Sequence, residues 1–297
     1  FGFYRPYFYW WGSNFRTYRK RRPSWTQGTA RRENIKVKVP VVRKPLISGN
    51  WKMHHNHFEA IQTIQRLAYA LSSSDYENVD VSVHAPFTDL RSLQTVIEVD
   101  QIPINLGAQH SHWEDKGAFT GEVSPEMLAK LNVSFVLVGH SERRHIFGEL
   151  NEDINKKVRS IISKEMTPIL CVGETAEERD GGRTVEVVET QLEEGLNGVK
   201  ASDVASMVVA YEPVWAIGTG KNATPEDAQE VCKAIRAKVS NLWNTASDDV
   251  RIQYGGSVKG NNAPDLMKQT DIDGLLVGGA SLDPDEFSRI IKYRLLD

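Results

Sequence analysis

The chain has 297 residues, 40% of them apolar and 25% charged, enough for one large domain with a substantial core. Its net charge of −3 is uneven: residues 1–44 hold twelve of the 36 basic but one of the 39 acidic side chains, so the remainder stands at 24 against 38, a balance of −14. An acidic body argues against nucleic acid as its main partner, and no apolar run approaches the roughly 18 residues of a membrane span. Two distant cysteines, Cys171 and Cys232, with no CxxC pattern, argue against a disulfide framework and fit a reducing cytosol.

In chain order, the first 25 residues carry 11 of the 26 aromatic side chains and follow neither a helical nor a strand period. They lack the aliphatic centre and small-residue cleavage site of a secretory signal. Residues 1–42 are therefore read as an aromatic, basic extension, disordered or non-native, outside a catalytic domain spanning 43–297. From there a short apolar run, a polar or glycine-rich turn and a helix-period segment alternate. Strand-like runs fall at 46–52, 79–86, 104–110, 134–140, 168–174, 207–213, 251–257 and 274–279. Most are continuously apolar, as parallel strands buried on both faces should be. Between them lie amphipathic stretches such as 58–71 and 184–196, and Thr224-Pro225-Glu226-Asp227 reads as a helix cap with proline at the first helical position. Eight βα units in about 250 residues predict an α/β fold of the (β/α)8 barrel type. A doubly wound sheet would carry GxGxxG after its first strand, and this chain has "SGNWKM" there.

Barrels of this kind place their chemistry at the C-terminal ends of the strands. Those ends supply Asn50 and Lys52, Gln109, His140, Glu174, Glu212, Gly255-Gly256-Ser257 and Gly278-Gly279. A lysine, a histidine, a carboxylate and two Gly-Gly turns on one rim predict a small anionic substrate held over a general base. Backbone N–H groups without side chains can close on a phosphate, and a helix starting in the last loop would add its dipole. Ser257 and the Gly218 amide are further donors. A neutral His140 at a helix start can donate a hydrogen bond to a developing oxyanion. Glu174 reads as a solvated or ion-paired loop acid, Cys171 as a packing residue. His54, His55 and His57, like His110 and His112, lack the spacing of metal ligands and read as loop or interface residues.

The stretches "GNWKM" (49–53), "GAFTGE" (117–122), "VGHSERR" (138–144), "CVGET" (171–175), "AYEPVWAIGTGK" (210–221), "YGGSV" (254–258) and "VGGASL" (277–282), in that order, resemble the triosephosphate isomerase family, in a bacterial-type form. The resemblance spans about residues 43–294. It implies a TIM barrel that interconverts D-glyceraldehyde 3-phosphate and dihydroxyacetone phosphate, a step of glycolysis and gluconeogenesis, without metal or cofactor. It makes Glu212 the base and His140 the neutral electrophile. Asn50 and Lys52 would polarise the carbonyl and hold the phosphate, and Gly218, Ser257, Gly278 and Gly279 would bind the phosphate. It implies a lid of Pro213-Val214-Trp215, Ala216-Ile217-Gly218 and Thr219-Gly220-Lys221. The length favours a lid, since a plain connection to the Thr224 cap needs only about four residues. Loop three implies an intersubunit finger tipped by Thr120, hence a cytoplasmic homodimer. His54 departs from the Asn often found there. A phosphosugar lyase or synthase would not need the His140, Glu212 and lid set together, and a silent scaffold would have no reason to keep Lys52, His140 and Glu212.

Overall fold

The structure is a computed structural model that describes residues 43–217 and 223–296. The predicted extension, 1–42, and the lid residues Gly218, Thr219, Gly220 and Lys221 lie outside the described residues.

Eight parallel strands close into a barrel in sequence order: β1 (Leu46–Asn50), β2 (Asp80–Ala85), β3 (Asn105–Ala108), β4 (Phe135–Val138), β5 (Thr167–Val172), β6 (Val208–Tyr211), β7 (Arg251–Tyr254) and β8 (Gly274–Val277). Each lies inside the run predicted from sequence, except that β5 starts one residue earlier, at Thr167. Closure is made by β1 pairing with both β2 (Leu46 with Asp80) and β8 (Leu46 with Gly274). Adjacent strand residues separate into two apolar sets, as alternation across a closed sheet requires. Leu46, Phe135, Leu137, Ile169, Cys171, Val208, Ala210 and Leu276 form the small cluster that fills the barrel. Their neighbours Ile47, Val136, Val138, Leu170, Val209 and Leu275 join the larger core beneath the helices.

The helices follow the capping logic of the sequence. His57–Ala70 is opened by Asn56, whose Oδ1 accepts the N–H groups of Phe58 and Glu59 while Glu59 Oε2 accepts Asn56 N–H at 2.9 Å. Pro225–Trp243 is opened by Thr224, its Oγ1 accepting Asp227 N–H at 3.1 Å and Asp227 returning a bond at 3.0 Å. Thr184–Gly195 matches the amphipathic stretch beginning at the same residue.

A polar thread crosses the barrel. Gln253 Nε2 donates to Ser48 Oγ (2.8 Å), and Ser48 and Ser82 hydroxyls pair at 2.8 Å. Ser82 Oγ lies 3.2 Å from His84 Nε2, and His84 Nδ1 lies 3.1 Å from Ala108 O. A carbonyl can only accept, so Nδ1 carries the proton and Nε2 accepts from Ser82. The ring lies flat against Gly107, where a Cβ would stand 2.4 Å from Nδ1. Complete burial pushes the His84 pKa down to about 4, so the imidazole is neutral.

Candidate active site

The loops leaving the C-terminal ends of the strands bring most of the predicted residues together. Asn50 ends β1, and its Oδ1 accepts Lys52 N–H at 3.0 Å. That contact helps hold Lys52 at φ 53°, a conformation costing about 1–3 kcal/mol for a residue with a side chain. Gln109 Nε2 completes the clamp by donating to Lys52 O (2.6 Å) and His84 O (3.1 Å). The buried Trp51 donates from Nε1 to Ser281 O at 3.2 Å, which fastens the first loop to the last. The Lys52 stem consequently runs beside Gly278, where a Cβ would sit 3.6 Å from Lys52 Cε. Its ammonium pairs with Glu142 at 2.6 Å.

His140 caps the short helix Ser141–His145, and its Nδ1 accepts Glu142 N–H at 3.2 Å. Nε2 therefore carries the proton and meets Glu212 Oε1 at 3.0 Å. The other Glu212 oxygen accepts Ser141 N–H, also at 3.0 Å. Burial opposes charge on both groups. The Glu212 carboxylate overrides that for His140 and lifts its pKa above the ordinary value. Burial likewise works to raise Glu212, but His140 and the Ser141 N–H outweigh it and hold the carboxyl below the usual range. Cys171 lies against Glu212, fully buried, and burial raises its thiol well above the ordinary value, so it is an inert neighbour as its packing role predicts.

Two clefts open on this rim and share Asn50 and Lys52 as their common wall. One, of about 420 Å³, is lined by Ser257, Lys259, Gly278 and Gly279 together with Ala216 and Ile217 at the start of the lid. The other, of about 310 Å³, is lined by Gln109, His140, Glu142 and Arg143. Glu212 lines neither: it is 2% exposed and sits beneath them. A helical turn, Gly279–Leu282, does begin in the last loop.

The glycines of the two Gly-Gly turns differ in what surrounds them, although Gly256, Gly278 and Gly279 all line the larger cleft. A Cβ on Gly255 would stand 3.0 Å from Glu212 Cγ, so this glycine makes room for the acid's side chain. A Cβ on Gly256 would strike the Tyr254 hydroxyl at 2.1 Å. At Gly279 nothing lies within 4 Å, leaving that backbone open to the cleft.

Glu174 is fully buried, so of its two readings, solvated or ion-paired, the first is corrected and the second holds, with Arg179 at 3.6 Å. Glu174 Oε1 accepts from Tyr211 Oη (3.1 Å) and Trp215 Nε1 (2.8 Å), while Glu174 O accepts Val214 N–H at 3.1 Å. The Arg179 guanidinium stacks over the Trp215 ring at 4.3 Å. Pro213, Val214, Trp215, Ala216 and Ile217, the described part of the predicted lid, are therefore anchored at their first hinge, with Val214–Ala216 forming a 3₁₀ turn. Sequence reasoning gave no role to Glu142 or Glu174. The acid two residues past His140, in a helix's first turn, was the available signal for Glu142; nothing local marks Glu174, whose partner Trp215 is 41 residues on. Thr120 is exposed in loop three, beside Phe119, whose ring packs 4.2 Å from His112. Among the described residues no group of three or more His, Cys, Asp or Glu is placed to hold a metal ion, and no helix is long and apolar enough to cross a membrane.

The family model described as triosephosphate isomerase matches residues 45–294. Among relatives bearing that name, the one from Streptomyces coelicolor is 53% identical over 253 residues, covering 85% of this chain and 98% of its own length. That from Corynebacterium efficiens is 52% identical, covering 84% and 96%; that from Caldanaerobacter subterraneus is 49% identical, covering 85% and 100%. With the eight-stranded barrel and the rim of Lys52, His140 and Glu212 already in view, this chain belongs to the triosephosphate isomerase family.

Proposed function

We propose that the chain interconverts D-glyceraldehyde 3-phosphate and dihydroxyacetone phosphate, the triose-phosphate step of glycolysis and gluconeogenesis, by proton transfer through an enediol or enediolate. The observation that carries the residue assignment is the contact of His140 Nε2 and Ser141 N–H with Glu212, one wall away from a cleft edged by Lys52, Ser257, Gly278 and Gly279. The phosphate enters that cleft and takes hydrogen bonds from Ser257, Gly278 and Gly279, with Gly218 completing the set from the lid. Lys52 faces its charge, and Asn50 fixes Lys52 and orients the carbonyl.

Glu212 removes a proton from the carbon next to the carbonyl, and the C–H electron pair becomes the C–C double bond as the carbonyl π pair moves onto oxygen. His140 gives its Nε2 proton to that oxygen and takes the proton of the adjacent hydroxyl, and the proton on Glu212 then goes to the carbon that began as the carbonyl, leaving the carbonyl on its neighbour. To reach carbon the carboxylate must leave both His140 and Ser141. Departure removes the two contacts that, with the charge of Lys52, hold its pKa down, and burial then raises its basicity at the moment it acts. The same departure removes the largest influence that lifts the His140 pKa; the Glu142 carboxylate still raises it, but burial, Lys52 and the Glu142 N–H at Nδ1 favour the neutral imidazole. A lid over residues 213–221, hinged at Trp215, would exclude water and keep the enediol phosphate from eliminating its phosphate.

A homodimer follows on this reading. Met53, Phe119, Ile146 and Phe147 are 93%, 43%, 71% and 66% exposed, a set of large apolar side chains on the site's own loops, and loop three carries Thr120 toward a neighbour's Asn50 and Lys52. The enzyme acts in the cytoplasm, where its buried thiols stay reduced.

The test is a coupled assay of the chain on glyceraldehyde 3-phosphate with a dehydrogenase that consumes dihydroxyacetone phosphate. Turnover at a rate typical of metabolic enzymes is expected. Phosphate binding without turnover would instead mean a silent barrel.

A further inference from the structure

The larger cleft contains a cation that the reaction as described leaves without a task. Lys259, on the loop after β7, lines the same 420 Å³ space as Ser257, Gly278 and Gly279. Its backbone is fixed at both ends of a short segment by one side chain: Asn262 Oδ1 accepts Lys259 N–H (2.8 Å), and Asn262 Nδ2 donates to Ser257 O (2.9 Å). Val258 between them is buried. The base of Lys259 is thus held at the cleft edge while the residue itself remains exposed.

Charge distinguishes it from Lys52. Among the residues lining this cleft there is no acid, and the cations are Lys52 and Lys259, with His54 beside them. Lys52 is already paired with Glu142 at 2.6 Å. Among the described residues Lys259 has no side-chain hydrogen bond or ion pair. The acid that touches its loop, Glu286, accepts Gly260 N–H at 2.7 Å and pairs with Arg289 at 3.1 Å. From residue 45 onward the chain carries a balance of −14, so a dianionic substrate approaches against the field of the molecule unless the mouth of the site is locally positive.

We propose that Lys259 is a second phosphate cation of this site, drawing the substrate dianion into the cleft and adding to its hold there while Lys52 remains shared with Glu142. The inference rests on the isomerase reading for its substrate, but its chemistry requires only a phosphate dianion.

The experiment compares the full chain with Lys259→Met, Lys259→Arg and, as a control for net charge, Lys200→Met, an exposed lysine just before the helix Ala201–Ser206 that leads into β6 from the opposite end of the barrel. The probes are inorganic phosphate, by calorimetry and as a competitive inhibitor, and glyceraldehyde 3-phosphate turnover across ionic strength. Lys259→Met is expected to raise the phosphate Kd, the inhibition constant and KM together by about threefold to tenfold at low salt, with a smaller effect on kcat. The difference should shrink towards about 0.5 M salt, Lys259→Arg should restore binding, and Lys200→Met should follow wild type. A phosphate Kd unchanged in Lys259→Met, or a loss that salt does not diminish, would overturn the proposal. If wild type fails to turn over the triose phosphate, the isomerase reading falls, while the phosphate Kd still decides the role of Lys259.

Discussion

Glu174, read from sequence as a solvated or ion-paired loop acid, shows how an ion pair can be right while its setting is missed. It stands two residues past the end of β5, between glycine and threonine, a setting that suits a solvated acid, yet its carboxylate is fully buried and accepts from Tyr211 Oη and Trp215 Nε1. Glu174→Leu would remove the acceptor of the buried Tyr211 hydroxyl, and an orphaned buried donor costs about 1–3 kcal/mol. The variant is expected to melt earlier, by about 2–4 °C for each kcal/mol lost in a domain of this size, as read by thermal unfolding. The placement of Glu212, His140 and Lys52 on one rim was legible because each follows within two residues of a strand's C-terminal end, at Tyr211, Val138 and Asn50. Glu142 was not, because its contribution is a contact with Lys52, 90 positions away. Gly255 and Gly256 carried a true signal of close approach: Glu212 and Tyr254 come close to them, and Gly256 also lines the larger cleft.

At the scale of the element, strands were legible because burial on both faces leaves a continuous apolar run, and helices because caps such as Asn56 and Thr224 announce themselves locally. The thread of Gln253, Ser48, Ser82 and His84 was not legible, since small polar residues in an apolar strand reveal no partner until the barrel closes. It has a measurable consequence. The folded His84 pKa, near 4, lies below the ordinary 6.5, and burial likewise depresses His110 to about 4. The unfolded chain therefore binds protons between pH 6.5 and 4 that the folded chain refuses. The stability these groups contribute is complete above pH 6.5 and is lost as pH falls toward 4. At pH 5 each costs about 2 kcal/mol relative to pH 7. Urea unfolding at pH 7 and pH 5, at one protein concentration, should show that loss, and His84→Asn should remove about half of it. Equal slopes in wild type and variant would contradict the neutral buried imidazole.

At the scale of the molecule, an acidic barrel lines its larger rim cleft with Lys52 and Lys259 and leaves large apolar side chains exposed on the loops around it. Charge asymmetry and element count were legible from composition and periodicity, whereas assembly depends on which surfaces face outward. If the proposed dimer forms, Phe147→Glu, placing a charge on the loops that expose Met53, Phe119 and Ile146, is expected to convert it to a monomer in light scattering and to lower kcat by at least about tenfold, since the proposed Thr120 finger would no longer reach the neighbour's Asn50 and Lys52. A monomeric wild type, or a monomeric variant with full activity, would contradict that assembly. The central claim is that Glu212, resting under His140 and Ser141, is the base that moves the substrate proton. The most direct measurement is turnover of glyceraldehyde 3-phosphate by Glu212→Gln beside wild type, with inorganic phosphate affinity measured on both. Loss of the base should cut kcat by about 10³-fold or more, with phosphate affinity altered less than about twofold, because the amide keeps the shape and loses the proton-accepting charge. Turnover within tenfold of wild type, with phosphate still bound, would contradict the assignment.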